Sequence, residues 1–301
     1  MPLNVNGIRI EDTFAEAFDM RATALIITAD TMEWARRAAE SLCGFATSII
    51  ACGVEAGIDR QHSEEETPDG RPGLRVLLFA ASTNELQRQL QNRVGQCVLT
   101  SPGSACFAGL DGTERLKLGD ALRWFGDGWQ ISKRLGEQHY WRVPVMDGEF
   151  VCEATTGLTK SAVGGGNLIL LGPDRAGVLR GTELAVEAMR HVPGVVMPFP
   201  GGIARSGSKI GSKYKQLVAS TNDAFCPTLR GLVPTMLEPA DGAVLEIVID
   251  GLTESAVADA MRAGIAALTA LGTSSGVTRI TAGNYGGKLG RHHYRLAELI
   301  P

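Results

Sequence analysis

The sequence predicts an α+β protein of two duplicated ferredoxin-like (βαββαβ) lobes in 301 residues. The first observation is that short apolar runs alternate with runs at helical spacing. The second is that the same series recurs in the second half of the chain. We expect residues 1-150 to form an N-terminal lobe that includes an inter-lobe insertion, and residues 151-301 to form a C-terminal lobe.

The first βαβ unit is predicted near the start of the chain. Ala24–Thr28 is an apolar strand-like run, and Asp30 after it is a suitable helix N-cap. Apolar residues at helical spacing then continue to Gly44, where the helix is expected to end. Phe45–Cys52 is predicted as the second strand.

The second βαβ unit of the first half follows a Pro- and Gly-rich link. Leu74–Ala80 predicts the third strand, and Ser82 with Glu85 predicts a capping box before the second helix. Gln96–Thr100 predicts the fourth strand. The stretch from Asp111 to Gly166 has no clear period, so we expect an insertion or a connection between the lobes.

The second half repeats four strands and two helices, with a longer middle loop. The predicted elements are, in chain order, strand Asn167–Leu171, a helix through Leu184–Met189, strand Val195–Pro198, strand Ala243–Ile249, a helix over Thr253–Ala270 and strand Val277–Ala282. A single doubly wound sheet, with helices on both faces, is the alternative architecture.

Composition excludes several classes of partner. The 29 basic and 33 acidic residues leave a net charge of −4, which offers no footprint for nucleic acid or an anionic membrane. The six cysteines lack a CxxC and the histidines lack an HExxH pattern, so free thiols and no metal site are expected. No apolar run nears the roughly 18 residues that span a bilayer, and no leader is evident. We expect a cytoplasmic protein.

Glu246 is a candidate acid/base residue. It is the only charged residue in the strand Ala243–Ile249, where alternation places it on one face with Val244 and Val248. A carboxyl group among apolar neighbours has a raised pKa and exchanges protons near neutrality. From the residues alone, a solvent-facing glutamate on a half-exposed sheet is the more common situation.

Glycine loops and a cationic stretch form a second group of candidates. Loops such as the one at Gly201 and Gly202 expose backbone N–H groups to anions, although tight turns explain any single loop. Arg205, Lys209 and Lys213 lie in one Ser- and Gly-rich stretch that suits phosphate or carboxylate groups, or is simply a solvated loop. No P-loop or dinucleotide-binding glycine motif is present.

Two polar clusters lie beside apolar residues. Asn222 and Asp223 stand in one, and Glu11–Asp19 forms the other. Either cluster is equally consistent with a helix cap or a turn.

Ten strings, spread in order over nearly the whole chain, carry a resemblance to one family. They are EDTFAEAFD (11–19), EAGID (55–59), EETPDGRPG (65–73), GQCV (95–98), FGDG (125–128), PFPGGI (198–203), SKIGSK (208–213), STNDAFCPT (220–228), EIVIDGL (246–252) and AGNYGGKLG (282–290). The sequence closely resembles the formylmethanofuran–tetrahydromethanopterin formyltransferases. His292, His293 and the stretch 111–117 match nothing in that pattern.

The resemblance implies reversible transfer of a formyl group between methanofuran and N5 of tetrahydromethanopterin, with no metal or prosthetic group. It implies two ferredoxin-like lobes and an acid/base role for Glu246. The substrate-binding residues expected with it are Gly201, Gly202, Arg205, Lys209, Lys213, Asn222, Asp223, Asn284 and Tyr285.

The same resemblance implies an oligomer. The expected assemblies are a homodimer, a homotetramer, or a hetero-oligomer with a metal-dependent formyl-methanofuran hydrolase. A non-catalytic structural subunit of a formyl-metabolising complex is the alternative function.

Overall fold

The computed structural model describes residues 2–300, so the outer bounds of the predicted lobes, Met1 and Pro301, lie outside it. Fourteen strands of the described chain form one sheet that runs through both halves. The halves join where β3 (Phe14–Thr28) pairs antiparallel with β12 (Thr159–Gly172). The protein is therefore a mixed α/β structure, as the α+β prediction required.

The remaining strands and the helices alternate along the chain. The strands are β1 Leu3–Val5, β2 Ile8–Ile10, β4 Glu55–His62, β5 Gly73–Ala80, β6 Ala105–Ala108, β7 Arg115–Lys117, β8 Ile131–Leu135, β9 Gln138–Val145, β10 Gly148–Glu153, β11 Thr155–Gly157, β13 Val195–Val196, β14 Lys209–Ile210, β15 Ala219–Ser220, β16 Ala243–Gly251, β17 Arg279–Thr281 and β18 His292–Arg295. The helices are α1 Met32–Cys43, α2 Ile49–Cys52, α3 Thr83–Arg93, α4 Gly119–Leu122, α5 Arg175–Arg190 and α6 Glu254–Leu271.

The two halves share one strand order. In the first half the strands lie in the order β6, β3, β5, β4, and in the second half in the order β17, β12, β16, β13. Every neighbouring pair within these two sets is antiparallel. Among the named strands of residues 2–300, parallel pairing occurs only between β10 and β6 and between β17 and β2. This pattern does not fit the alternative of a doubly wound sheet, which is mostly parallel.

The predicted second strand, Phe45–Cys52, is wrong. The segment contains the short helix α2, and the second strand is β4, which begins at Glu55. The Ser48 side chain caps the helix by accepting a hydrogen bond from the Ile50 N–H, and Gly53 ends it in the left-handed region with φ +74°. A four-residue apolar run does not distinguish strand from buried helix.

The predicted fourth strand, Gln96–Thr100, is also wrong. A π-helical turn over Val94–Val98 continues α3, and the fourth strand is β6. Val94 and Val98 are fully buried, and they extend the buried face that Leu86 and Leu90 begin in α3. Packing of this face against the first-half core therefore outweighs the local preference of the segment for a strand.

The helices form where periodicity and caps predicted them, with one shift. Thr31, rather than Asp30, caps α1 by accepting from the Trp34 N–H, while α3 begins after Ser82 as predicted. Thr253 caps α6 in the same way. The helices α5 and α6 pack on each other and on the second-half strands, and a separate apolar core fills the first half.

The segment of no clear period holds real structure. Within residues 111–166, the strands β8, β9 and β10 form an antiparallel meander that extends the main sheet beyond β6. His292, which matched no motif, lies between Asp19 on β3 and Glu254 at the start of α6, at 2.9 and 3.2 Å. His292 therefore links β18 to β3 and to α6.

The structure of residues 2–300 also describes the cysteines, the possible metal-ligating side chains and the length of the helices. The six cysteines are free thiols. Over the same range, no His, Cys, Asp or Glu side chains cluster as a metal site would require. None of the described helices is both long and apolar enough to cross a membrane.

Candidate active site

A cleft of about 1320 Å³ opens between the two halves of the chain. Its walls come from the start of β3, helix α2, the glycine bulge of β12 (residues 164–166), strand β16 and two loops of the second half, 204–210 and 282–289. A space of this size exceeds the roughly 300–1,000 Å³ typical of a drug-sized ligand. The cleft is therefore large enough for two sizeable substrates at once.

Glu246 lies in this cleft. Alternation on β16 puts it with Val248 on the cleft face, while Ile247 and Ile249 are fully buried in the core on the other face. The backbone of Glu246 exchanges two hydrogen bonds with Ala204, at 2.8 and 2.9 Å, so its position along the strand is fixed.

Burial, rather than a hydrogen bond or a neighbouring charge, shifts the pKa of the Glu246 carboxyl group. No hydrogen bond from residues 2–300 reaches that group, and burial alone raises its pKa to about 7. Both the acid and the carboxylate are consequently populated at neutral pH. This is the property that a group needs in order to give and take a proton in one catalytic cycle.

Glu16 is the opposite kind of carboxyl group. Four backbone N–H groups surround it: Tyr285 and Gly287 donate to Oε2 at 2.6 and 2.9 Å, and Leu289 and Gly290 donate to Oε1 at 2.7 Å each. Burial raises the pKa of Glu16, but these four donors outweigh burial and lower the pKa to about 2. Glu16 is therefore a fixed anion that folds the loop 284–290 around itself.

Glycine is required at two positions of this loop. Gly287 has φ +70°, in the left-handed region that other residues rarely adopt. A Cβ on Gly290 would lie 2.3 Å from the carbonyl oxygen of Ala17, so only glycine lets the loop approach β3. The base of the loop is held by Asn167, whose Oδ1 accepts from the Gly283 N–H at 2.6 Å.

The Tyr285 side chain lies within electrostatic range of both carboxyl groups, Glu246 and Glu16. Its ring lies 6.0 Å from that of Phe18, and the side chain lines the cleft. Burial, followed by the charges of Glu246 and Glu16, raises the pKa of the Tyr285 phenol, which therefore remains a hydrogen-bond donor at neutral pH.

The predicted cationic stretch forms a small hairpin at the edge of the cleft, where β14 pairs with β15. Lys209 lines the cleft and forms an ion pair with Asp223, while Lys213 is exposed beyond β14. Arg205 lies against a smaller cavity of about 40 Å³, which it shares with Asn222.

The structure separates the predicted residues into two groups. Five of them contact the main cleft: Glu246, Lys209, Asn222, Asn284 and Tyr285. The others lie outside its lining: Gly201, Gly202, Arg205, Lys213 and Asp223.

The contacts of Gly201 and Gly202 bear on the expectation that their N–H groups bind a substrate. The Gly202 N–H already donates to the Phe199 carbonyl oxygen at 2.7 Å, and a Cβ there would lie 2.7 Å from Val186. Gly201 has φ +66°. The Gly202 N–H is therefore engaged within a tight turn, and both glycines lie outside the lining of the main cleft.

Sequence reasoning missed Glu16 and Glu55, both of which line the cleft. Both lie within the strings that carry the family resemblance, in EDTFAEAFD and EAGID. Residues 285–290, which surround Glu16, and Asp250, which interacts with Glu55, are distant in sequence, so no local pattern marks either glutamate as part of a site.

Comparison with known proteins identifies the family of the chain. The family model described as formylmethanofuran-tetrahydromethanopterin formyltransferase matches residues 3–145, and the model described as its proximal lobe matches residues 148–299. The chain belongs to this family. The predictions of the family and of an enzyme with formyltransferase activity are confirmed, and the catalytic interpretation is favoured over a purely structural subunit.

Relatives cover nearly the full chain. The formylmethanofuran–tetrahydromethanopterin formyltransferase of Methylococcus capsulatus is 58% identical over 98% of this chain and 99% of its own. A component of the formyltransferase/hydrolase complex of Methylorubrum extorquens is 56% identical over 98% of this chain and 97% of its own.

Two solved structures share the fold. The crystal structure of the formyltransferase/hydrolase complex from Methylorubrum extorquens, in complex with methylofuran, contains a chain that matches with a TM-score of 0.97 at 56% identity, over 100% of this chain and 99% of that one. The formyltransferase of Methanosarcina barkeri matches with a TM-score of 0.92 at 42% identity, over 99% and 100%.

Proposed function

We propose that this protein transfers a formyl group reversibly between the amine nitrogen of methanofuran and N5 of tetrahydromethanopterin. Membership of the formyltransferase family supports the reaction class. The observation that carries the proposal is a carboxyl group, Glu246, with a pKa of about 7 in a cleft that has room for two substrates.

The chemistry requires one proton to move between two nitrogens. N5 attacks the formamide carbon and forms a C–N bond, while the carbonyl electron pair moves to oxygen. The Glu246 carboxylate takes the proton from N5. The resulting Glu246 acid gives this proton to the methanofuran nitrogen as its C–N bond breaks and the carbonyl reforms. Holding both substrates in one cleft supplies much of the acceleration, because the reaction becomes effectively unimolecular.

We propose Tyr285, rather than the N–H groups of Gly201 and Gly202, as the hydrogen-bond donor to the developing oxyanion. Its O–H is protonated at neutral pH and lines the cleft with Glu246. We expect Tyr285→Phe to lower kcat by about 10²–10³-fold, the usual effect of removing one oxyanion donor. Steady-state kinetics of the variant check this, with Tyr140→Phe, a tyrosine of β9 outside the cleft lining, as control. A wild-type kcat in Tyr285→Phe would remove the hydroxyl from the mechanism.

The cationic hairpin is the proposed contact for the acidic tails of the substrates. Replacing Lys209 and Lys213 together by Ala is expected to raise KM about two- to fivefold, the range set by exposed ion pairs, with little change in kcat. Lys133→Ala, an exposed position on β8, is the matched control. Equal KM values in all three proteins would leave the hairpin without a binding role.

The finer architecture belongs to the same proposal. We infer that residues 1-150 and 151-301 are two ferredoxin-like lobes, which the shared antiparallel strand order supports. The substrates act without a prosthetic group, and the enzyme works in the cytoplasm. A hetero-oligomer with a metal-dependent hydrolase is favoured over a homodimer or homotetramer by the likeness to a component of the Methylorubrum extorquens formyltransferase/hydrolase complex.

The test of function uses purified full-length protein with formyl-tetrahydromethanopterin and methanofuran. We expect loss of the formyl pterin, followed by absorbance, at a rate proportional to protein. A folded preparation that gives no turnover would overturn the proposal and leave the structural-subunit alternative. The native mass of the protein isolated from its own cell tests the assembly.

A further inference from the structure

Two buried carboxyl groups meet where the halves of the chain join. Glu55 begins β4 in the first half and is 8% exposed; Asp250 lies near the end of β16 in the second half and is fully buried. Val196 pairs with Asp250 between β13 and β16 and packs against Gly57 of β4, where a Cβ would lie 2.9 Å from it. Strands β4 and β13 are therefore in close contact beside Asp250 of β16.

The carboxyl groups of Glu55 and Asp250 lie close enough for each to shift the pKa of the other. Two ionised carboxylates have acceptors only, so a hydrogen bond between the two groups requires a proton on one of them. No donor within residues 2–300 reaches Asp250 Oδ2, which is buried from solvent. Burial raises the pKa of Asp250 well above its ordinary range, and the Glu55 charge raises it further. Burial likewise raises the pKa of Glu55.

The pair also holds two walls of the cleft. Glu55 Oε1 accepts a hydrogen bond from the Ile49 N–H at 3.0 Å, at the first residue of α2. Asp250 Oδ1 accepts one from the Gly165 N–H at 3.1 Å, in the glycine bulge of β12. Ile49 and Gly165 both line the cleft, on opposite halves of the chain. A single chain of polar contacts therefore runs from one wall to the other.

Among the described residues, no other charge compensates the pair. The nearby ionic contact on β4 and β5 is Asp59 with Arg75, at 3.0 Å, and these two neutralise each other. Over residues 2–300, the only ionisable group that shifts the pKa of either Glu55 or Asp250 is its partner. The remaining contacts on the pair are the two backbone N–H groups.

We propose that Glu55 and Asp250 share one proton and are positioning residues, which set the separation of the cleft walls at Ile49 and Gly165 for substrate binding. The positioning role rests on the proposed formyl transfer. The sharing of the proton is independent of the proposed formyl transfer, because it is a property of the folded protein without substrate. Neither residue exchanges a proton with substrate during turnover, so the pair affects KM rather than kcat.

Asp250→Asn is the decisive variant. The amide oxygen of Asn keeps the acceptor for Gly165, and the amide nitrogen donates to Glu55 in place of the shared proton. We expect KM and kcat within about twofold of wild type. Asp250→Ala loses both contacts of one wall, and we expect KM to rise about tenfold with kcat changed far less, from the usual cost of an unsatisfied buried polar group.

An infrared measurement tests the shared proton without substrate. In a Glu246→Gln background, which removes the other protonated carboxyl group of the cleft, we expect the carbonyl stretch of a protonated carboxylic acid at pH 8. It should vanish in the Glu246→Gln, Asp250→Asn protein and in Glu246→Gln, Glu55→Gln. Absence of the band, or its persistence in both double variants, would overturn proton sharing.

The two measurements separate the two proposals. If Asp250→Asn raises KM as much as Asp250→Ala, or lowers kcat instead, positioning by the pair is wrong. If the Glu246→Gln protein shows the band but wild-type protein gives no formyl transfer, the pair retains its proton and the proposed function fails. Should Asp250→Ala not fold, the isosteric Asp250→Asn and Glu55→Gln variants still give both readouts.

Discussion

Replacing Glu246 by Gln is expected to lower kcat by about 10²–10⁴-fold, the contribution typical of a general acid/base. The amide has nearly the shape of the acid, so the substrates still bind, but it neither takes the proton from N5 nor returns one to the leaving amine. The measurement is the rate of formyl-pterin loss with both substrates saturating. Glu187→Gln, at an exposed position on α5, is the matched control.

The pH profile provides an independent check on Glu246. Because burial raises the pKa of its carboxyl group to about 7, wild-type kcat should show a titration near that pH, and Glu246→Gln should lack it. An unchanged kcat and an unchanged profile in the variant would show that another group moves the proton.

Stability should change in the opposite direction to activity. The folded-state pKa of Glu246 lies above its ordinary value of 4.5, so wild-type stability falls as pH rises from about 4.5 through 7. Glu246→Gln carries no such charge, and it should therefore have a higher Tm than wild type at pH 8. A lower Tm would indicate that the loss of activity came from misfolding.

Replacing Glu16 by Gln is expected to disorganise the loop 284–290 and to reduce activity and stability together. The four backbone N–H groups around Glu16 satisfy both carboxylate oxygens, whereas an amide directs its own N–H₂ at two of those donors. We expect a loss of about 1.5–3 kcal/mol in the free energy of unfolding, the scale of hydrogen bonds to a charged group. Urea unfolding measures it.

Acid unfolding distinguishes the loss of the Glu16 charge from a general loss of packing. The folded-state pKa of Glu16, about 2, lies below its ordinary value of 4.5, so its contribution is complete above pH 4.5 and is lost as pH falls towards 2. The difference in stability between wild type and Glu16→Gln should shrink across this window. Glu40→Gln, exposed on α1, is the control. A constant difference from about pH 6 to about pH 2 would contradict the charge-based explanation.

Hydrogen exchange localises the effect of Glu16→Gln. We expect faster exchange at the amides of Tyr285 and Gly290, while the amides of α1 remain protected. Uniformly faster exchange would point to global destabilisation instead.

The face of β16 on which Glu246 lies is predictable from sequence because that signal is local. Alternation along nine residues of β16 is sufficient to separate the core face from the cleft face, and a lone carboxyl group on the cleft face is then conspicuous. The glycine turn at Gly201 and Gly202 shows the opposite case. A glycine pair has the same local pattern whether its N–H groups bind a ligand or a neighbouring carbonyl oxygen. Here the Gly202 N–H donates to the Phe199 carbonyl oxygen.

The errors in secondary structure have the same origin. Phe45–Cys52 and Gln96–Thr100 are short apolar runs, which suit a strand or a buried helical turn equally well. The Ser48 cap stabilises a helix in the first segment. The burial of Val94 and Val98 stabilises a helical turn in the second. Periodicity over one turn is too short to reveal that outcome.

The sequence by itself determined the long helices, the repeated strand series, the family resemblance and the face on which Glu246 lies, because periodicity, capping and motif strings are properties of neighbouring residues. Only the tertiary structure decided that Glu16 is enclosed by residues 285–290 and that Glu55 meets Asp250. These contacts join residues far apart along the chain. Their pKa values depend on burial and on hydrogen bonds that exist only after the two halves have packed together.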